Sequence, residues 1–239
     1  MPGGHESGLP SKPPSSAEVD AFLAKVRSAP SAKPATGRGR LMFALDATAS
    51  RQPTWDHAAR LQGEMFTETA ALGGLEIQLC FYRGFGEFRV SPWLTEAQPL
   101  VRLMTSVTCR AGETQIGKVL HHAVNETRNR KVNALVFVGD AVEEDVDRLG
   151  RLAGELGVLG VPAFMFHEGG MTVAAYAFKE IARLTNGAYL RFDEGSADML
   201  RELLSAVAVF AAGGRPALED LAGRRGGTVL RIAHQMKGR

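Results

Sequence analysis

The stretch LMFALDATAS, residues 41–50, joins a short apolar run to a polar segment. Its five leading apolar residues are typical of a strand that is covered on both faces of a sheet. Asp46, Thr48 and Ser50 then alternate along the exit from this strand, so their side chains can turn to one side before a helix begins. The stretch therefore predicts a buried strand with a ligand site at its carboxyl end.

Apolar runs and helical stripes alternate along the rest of the chain. Further strands are predicted at residues 75–82, 87–93, 134–138, 161–166 and 188–192. The turn RGFG at 83–86 makes the third strand antiparallel to the second. Helical stripes separate the other strands, including one from Trp55 to Leu72. This alternation predicts a doubly wound, Rossmann-like α/β domain with a mainly parallel six-stranded sheet and one antiparallel edge strand.

Composition favours a soluble globular protein. Of the 239 residues, 45% are hydrophobic and 23% charged, and no apolar stretch is long enough to span a membrane. The first fifteen residues lack the apolar run of a secretory signal, so a cytoplasmic location is expected. Cys80 and Cys109 lie in no metal-binding or redox motif and are interpreted as small buried residues.

Two basic extensions flank a mildly acidic centre. The net charge is +3 for residues 1–40, −5 for 41–212 and +4 for 213–239. The basic residues are dispersed and are not interleaved with aromatic ones, which argues against nucleic acid as a partner. We expect a disordered extension over 1–40, a folded domain over 41–212, and a Gly/Arg-rich tail over 213–239.

The N-terminal extension contains one short amphipathic helix at residues 16–27, followed by a linker. Its start carries the Ser-x-x-Glu spacing of a capping box, and its apolar positions share one face. These positions are Val19, Phe22, Leu23 and Val26. Because the sheet already has a covering helix for each face, deleting residues 1–38 is expected to lower the melting temperature by only a few degrees.

Five oxygen-bearing residues are expected to meet at one edge of the sheet. Asp46, Thr48 and Ser50 follow the first strand, Asp140 follows the fourth, and Thr114 precedes the helix before the fourth strand. Carboxylate and hydroxyl oxygens without a thiol or imidazole suit Mg²⁺ or Mn²⁺. The sequence therefore predicts a divalent metal site built from these five side chains.

This pattern resembles the von Willebrand factor type A (VWA) domain with its metal-ion-dependent adhesion site, abbreviated MIDAS. The resemblance covers residues 41 to about 212 and departs only at Thr48, where the family usually has Ser. It implies that the hydroxyls of Thr48 and Ser50 bind the metal directly, and that Thr114, Asp46 and Asp140 bind directly or through water. One metal position then stays open for a carboxylate of a partner protein, which implies a non-catalytic adaptor domain.

Two other functions are considered. Asp46 and the acidic stretch after Gly139 resemble the first and last motifs of haloacid dehalogenase-type phosphatases, in which an aspartate is the nucleophile. That reading lacks the second aspartate at position 48, the phosphate-binding hydroxyl after the second strand, and a suitably placed lysine other than Lys131. The other alternative is a metal-independent scaffold that binds through its N-terminal helix.

The polar residues also have a purely structural interpretation. Ser50 and Asp140 could each cap the helix that follows them. The acidic run at 143–145 opens a helix, where negative charge is favourable.

Overall fold

The computed structural model describes residues 14–30, 38–51, 74–192 and 197–224. The helix predicted from Trp55 to Leu72, the linker at 31–37 and the terminal segments 1–13 and 225–239 lie outside the described residues.

Six strands form a single sheet, and its order is β3-β2-β1-β4-β5-β6. The strands are β1 (Gly39–Asp46), β2 (Leu75–Arg83), β3 (Glu87–Val90), β4 (Ala134–Gly139), β5 (Ala163–Glu168) and β6 (Ala188–Phe192). The edge strand β3 runs antiparallel to β2, and all other neighbours are parallel. The predicted fold class is confirmed.

Helices cover both faces of the sheet. They are α1 (Ser16–Ser28), α2 (Ala97–Ser106), α3 (Ile116–Asn129), α4 (Val146–Val158), α5 (Thr172–Leu184) and α6 (Ala197–Arg224). Along β1, Leu41, Phe43 and Leu45 point to the core layer shared with α1, α2 and α6, while Met42 and Ala44 point to the layer shared with α3, α4 and α5. The continuous apolar run in the sequence reflects this burial on both faces.

The strand order changes direction between β1 and β4. The chain passes from β1 to β2 on one side, and β4 then pairs with β1 on the other. Ligands bind in such sheets beyond the carboxyl ends of the strands at this switch point. Asp46 ends β1 and Asp140 directly follows β4, so both lie at this edge, which we call the carboxyl edge.

The N-terminal helix differs from its expected role. Its capping box forms as predicted, with Glu18 N donating to Ser15 Oγ and Ser15 N donating to Glu18 Oε2. Its apolar face, however, is buried in the same core cluster as the sheet. Phe22 is 1% exposed, and its ring centroid lies 5.1 Å from that of Phe166 and 6.2 Å from that of Phe164. The helix is thus part of the domain core and not a separable extension.

The C-terminal boundary also differs from the sequence expectation. Helical structure in α6 is interrupted at Gly214, where φ is 68° and ψ is −162°, and resumes as far as Arg224, twelve residues past the boundary placed at 212. Within this continuation Leu218 is 2% exposed and joins the main core cluster. The Gly-Gly pair at 213–214 therefore marks a kink within the helix and not the start of a tail.

Candidate metal-binding site

Asp46 is buried at the end of β1 with both carboxylate oxygens engaged. Thr48 N donates to Oδ1 at 2.7 Å, and the hydroxyl of Tyr82 donates to Oδ2 at 3.0 Å. Tyr82 is the register partner of Asp46 on the neighbouring strand, so the pairing of β1 with β2 places the two side chains together. The carboxylate is held in one orientation by a strand neighbour and by its own exit loop.

Burial raises the pKa of Asp46, although hydrogen bonds from Thr48 oppose the increase and the negative charge of Asp140 adds to it. The pKa of Tyr82 is raised well above its usual value, again mainly by burial and then by the charge of Asp46. Two neighbouring carboxylates at a buried position repel each other. A cation bound between them would remove that repulsion.

Thr48 and Ser50 continue the site toward solvent. Their hydroxyl oxygens lie 3.2 Å apart, close enough for a hydrogen bond. Thr48 is buried, whereas Ser50 is exposed in the single turn of 3-10 helix at Ala49–Arg51. The two hydroxyls therefore connect the buried carboxylate of Asp46 with the surface.

Asp140 has an unsatisfied oxygen at the opposite side of the site. Its Oδ1 is buried and has no hydrogen-bond partner among the described residues. The N-cap of α4 is Asp145, whose side chain accepts from Arg148 N at 2.8 Å, so capping does not account for Asp140. A buried carboxylate oxygen without a donor is costly unless something positive is supplied to it.

Gly139 keeps the two aspartates close. A methyl group at this position would lie 2.7 Å from the ring of Phe137 and 3.5 Å from Cβ of Asp46. A larger residue would push against the ring and the end of β1. The glycine thus permits the close approach of the β4 exit to Asp46.

Thr114 is fixed to the loop that follows Asp140. Thr114 N donates to Glu143 Oε2 at 2.9 Å, and Glu143 N donates to Thr114 Oγ1 at 2.9 Å. Thr114 is 6% exposed and Glu143 is exposed, so this reciprocal pair lies where the site meets solvent. The pair aligns the loop before α3 with the loop after β4, which brings Thr114 to the carboxyl edge.

Glu144 supports the same junction, a role that the sequence analysis did not predict. Its carboxylate accepts from Ile116 N at 2.5 Å and from Gly117 N at 2.8 Å, which satisfies free N–H groups at the start of α3. Burial raises the pKa of Glu144, and these two backbone hydrogen bonds oppose the increase. Of the acidic run, only Asp145 serves its own helix as N-cap.

Replacing Glu144 with alanine is expected to lower the free energy of unfolding by about 1–2 kcal/mol, because two N–H groups of α3 lose their acceptor. The matched control is Glu113→Ala, an exposed acid in the loop before α3, which should change stability by less than about 0.5 kcal/mol. Urea denaturation of both variants measures the difference. Equal stability of the two would show that Glu144 does not hold the junction.

His167 lies at the end of β5 beside Asp140 and is fully buried. Its Nδ1 and the hydroxyl of Tyr189 lie 3.0 Å apart, and its ring packs edge-on against Phe178. Burial lowers the pKa of His167 to about 4, although the backbone and charge of Asp140 act in the opposite direction. The imidazole is therefore neutral near pH 7 and packs behind Asp140, away from solvent.

The donor set is made of oxygen atoms. Within the ranges that the structure describes, no group of three or more His, Cys, Asp and Glu side chains is placed to hold a metal. The site instead combines two carboxylates with hydroxyls, and one carboxylate oxygen is buried without a donor. Hard oxygen ligands of this kind fit Mg²⁺ or Mn²⁺.

No protein family and no curated protein matches the sequence. Solved structures do match, and the VWA domain of SpRpn10 superposes with a TM-score of 0.55 over 74% of this chain and 97% of that domain. The chain has a VWA fold. The vWF domain of the pilus tip protein Mfa5 from Porphyromonas gingivalis gives a TM-score of 0.58 over 80% of this chain and 98% of that one.

A third similar structure is proximal thread matrix protein 1 from the mussel byssus, described with a zinc-occupied MIDAS motif. Its TM-score is 0.55, with 74% of this chain and 47% of that chain covered. Sequence identities to the three are 16%, 10% and 12%. At such identities the similarity establishes the VWA fold of this chain and does not identify its ligands.

Proposed function

We propose that this VWA domain is a non-catalytic protein-interaction module whose binding depends on a divalent cation, Mg²⁺ or Mn²⁺. The cation would be held by Asp46, Thr48, Ser50, Thr114 and Asp140. The observation that carries the proposal is the buried Oδ1 of Asp140, which has no hydrogen-bond partner among the described residues and lies beside the buried Asp46. A bound cation supplies the positive charge that these two carboxylates lack.

The charge of the site supports binding of a third carboxylate. Asp46 and Asp140 provide two negative charges, which balance a divalent ion without exceeding it. Hydroxyl ligands are neutral and add no further negative charge, so a ligand position left open on the ion can still accept an anionic oxygen. The exposed position of Ser50 gives such a group a path from solvent. An acidic side chain of a partner protein fits this description.

Exposed apolar side chains at the same edge support a protein as the partner. Phe85, in the turn after β2, is 83% exposed, and Met171, Val173 and Tyr176, at the start of α5, are between 45% and 61% exposed. Phe85 follows β2 and the other three follow β5, so they flank the ends of β1 and β4 on either side. Exposed apolar side chains around a polar centre are typical of protein-binding surfaces. These side chains support a protein partner that would contact the carboxyl edge on both sides of the proposed ion.

The proposed function is tested by capture of partners on the immobilised full chain, with Mg²⁺ and with EDTA. A specific partner should be retained with Mg²⁺ and released by EDTA, and Asp46→Asn should not retain it under either condition. Glu113→Gln, at an exposed acid near the site, serves as the control and should behave as the wild type. Retention that is indifferent to EDTA and to Asp46→Asn would contradict metal-dependent binding.

The phosphatase alternative lacks support at the carboxyl edge. Lys131 precedes β4 and lies at the opposite edge of the sheet, where its Nζ donates to the carbonyls of Leu159 and Gly160. Both oxygens of Asp46 accept hydrogen bonds, and position 48 offers no general acid.

We expect no turnover of phosphomonoesters above background in the presence of Mg²⁺. The substrates to assay are p-nitrophenyl phosphate and a panel of small phosphomonoesters. Activity that is present in the wild type and lost in Asp46→Asn would instead establish Asp46 as a nucleophile.

The scaffold alternative requires a free apolar face on α1, and that face packs against its own domain. Among the described residues, no helix is long and apolar enough to cross a bilayer. The cytoplasmic location expected from the sequence stays a prediction.

A further inference from the structure

A basic groove runs between α3 and α4 on one face of the sheet. The groove is open to solvent, has a volume of about 650 Å³ and is lined by side chains of both helices. The lining residues that matter here are Lys118, His121, Arg148, Arg151 and Leu152. We call this feature the basic groove.

The cations of the basic groove form no ion pair within the part of the chain that the structure describes. Lys118 Nζ donates to two neutral oxygens, Gly86 O at 2.9 Å and Gln115 Oε1 at 2.8 Å. The exposed guanidinium groups of Arg148 and Arg151 form no ion pair there.

Two acids near the groove are already engaged. Glu155, at its far end, is paired with Arg128. Glu144 uses both carboxylate oxygens to accept from backbone N–H groups of α3. The lining therefore carries an excess of positive charge that faces solvent.

The groove is continuous with the carboxyl edge. Gly117 forms part of its lining, and the N–H of Gly117 is bound by Glu144, beside the loop that carries Thr114. Arg148 N donates to Oδ1 of Asp145, the residue after Glu144, so Arg148 lies in the first turn of α4 at this end of the groove. A chain bound at the carboxyl edge could thus continue between α3 and α4.

We propose that the basic groove binds an acidic segment of the partner protein, adjoining the carboxylate that the metal binds. The proposal rests on the proposed function for the nature of the partner, and on charge complementarity for its chemistry. The C-terminal residues 225–239 do not complement the groove, since they contain four basic residues and no acidic one. An acidic peptide supplies several carboxylates along an extended backbone, which matches cations spread along two helices.

The experiment measures binding of a fluorescein-labelled octaglutamate peptide to the full chain by fluorescence anisotropy in EDTA. The affinity should fall with added salt, and Arg148→Glu combined with Arg151→Glu should weaken it by at least about tenfold. The control combines Lys25→Glu with Arg102→Glu, two exposed residues of α1 and α2 on the opposite face, with the same change in net charge. It should change the affinity by less than about twofold.

Folding is checked by thermal melting, and Arg148→Gln combined with Arg151→Gln provides a second, milder variant. Equal losses in the groove and control variants, or no loss in the groove variants, would overturn the proposal. Displacement of the peptide by an oligonucleotide or polyphosphate at lower concentration would overturn the acidic protein segment as occupant.

Adding Mg²⁺ separates this proposal from the proposed function. If both hold, Mg²⁺ should strengthen peptide binding in the wild type and in the groove variant, but not in Asp46→Asn. Groove-dependent binding in EDTA without a Mg²⁺ effect would refute the metal dependence and leave the groove assignment standing. A Mg²⁺ effect without groove dependence would refute the groove assignment and leave the metal dependence standing.

Discussion

Replacing Asp46 with asparagine is expected to lower the affinity for Mg²⁺ by at least about 100-fold, because one of the two charges of the site is removed. The fold should persist. The amide oxygen can accept from Thr48 N, and the amide nitrogen can donate to the hydroxyl of Tyr82. Asp140→Asn should have an effect of the same order, because Asp140 supplies the second charge. Isothermal titration calorimetry with Mg²⁺ and Mn²⁺ measures both losses.

Thermal stability gives an independent readout of the same substitution. A ligand at 100 times its Kd stabilises the folded state by about 2.7 kcal/mol, so saturating Mg²⁺ should raise the melting temperature of the wild type by several degrees. In EDTA, Asp46→Asn should melt at or above the wild-type temperature, since it removes a buried charge. Adding Mg²⁺ should not shift it further. Glu113→Gln should respond to Mg²⁺ as the wild type does, and an undiminished Mg²⁺ affinity in Asp46→Asn would refute the site.

Replacing Phe22 with alanine is expected to lower the free energy of unfolding by about 3–5 kcal/mol, the usual cost of removing a buried aromatic ring. Phe22 is 1% exposed and packs against Phe164 and Phe166 of β5. For a chain of this size, such a loss corresponds to a fall in melting temperature of roughly 10 °C. Deleting residues 1–38 should destabilise the protein further, because Val19, Leu23 and Val26 are removed with Phe22.

The matched control for Phe22→Ala is Lys25→Ala, at an exposed position of the same helix, which should change stability by less than about 0.5 kcal/mol. Chemical denaturation at equal protein concentration measures both variants. If Phe22→Ala costs less than about 1 kcal/mol, α1 is not part of the core and the sequence expectation of a separable helix is restored.

Much of the fold could be predicted from local pattern. Residues 41–45 indicate a doubly covered strand because only apolar side chains can face a core on both sides, and β1 is buried along its whole length. The turn at 83–86 similarly predicted the antiparallel edge strand β3. The exact start and end of β5 and of α6 could not be predicted, since strand pairing and helix packing over long distances set those limits.

The hydrogen bonds that position Thr114 and the start of α3 could not be predicted from the sequence. Glu143 and Glu144 make hydrogen bonds to residues 27–29 positions away, so nothing in the local run of acids distinguishes them from helix-opening residues. The sequence also did not indicate that Oδ1 of Asp140 has no hydrogen-bond donor among the described residues. Whether a carboxylate caps its own helix or stays without a donor depends on the path of the loop after β4.

By itself the sequence determined the alternating strands and helices, and with them the edge at which Asp46, Thr48 and Ser50 emerge. Hydrophobic periodicity and side-chain alternation act within a few residues, so they can be predicted without tertiary contacts. Only the tertiary structure decided the position of α1 and the excess charge of the basic groove. Both depend on which surfaces distant segments cover, because an amphipathic helix has no preferred partner until a complementary apolar face lies within reach.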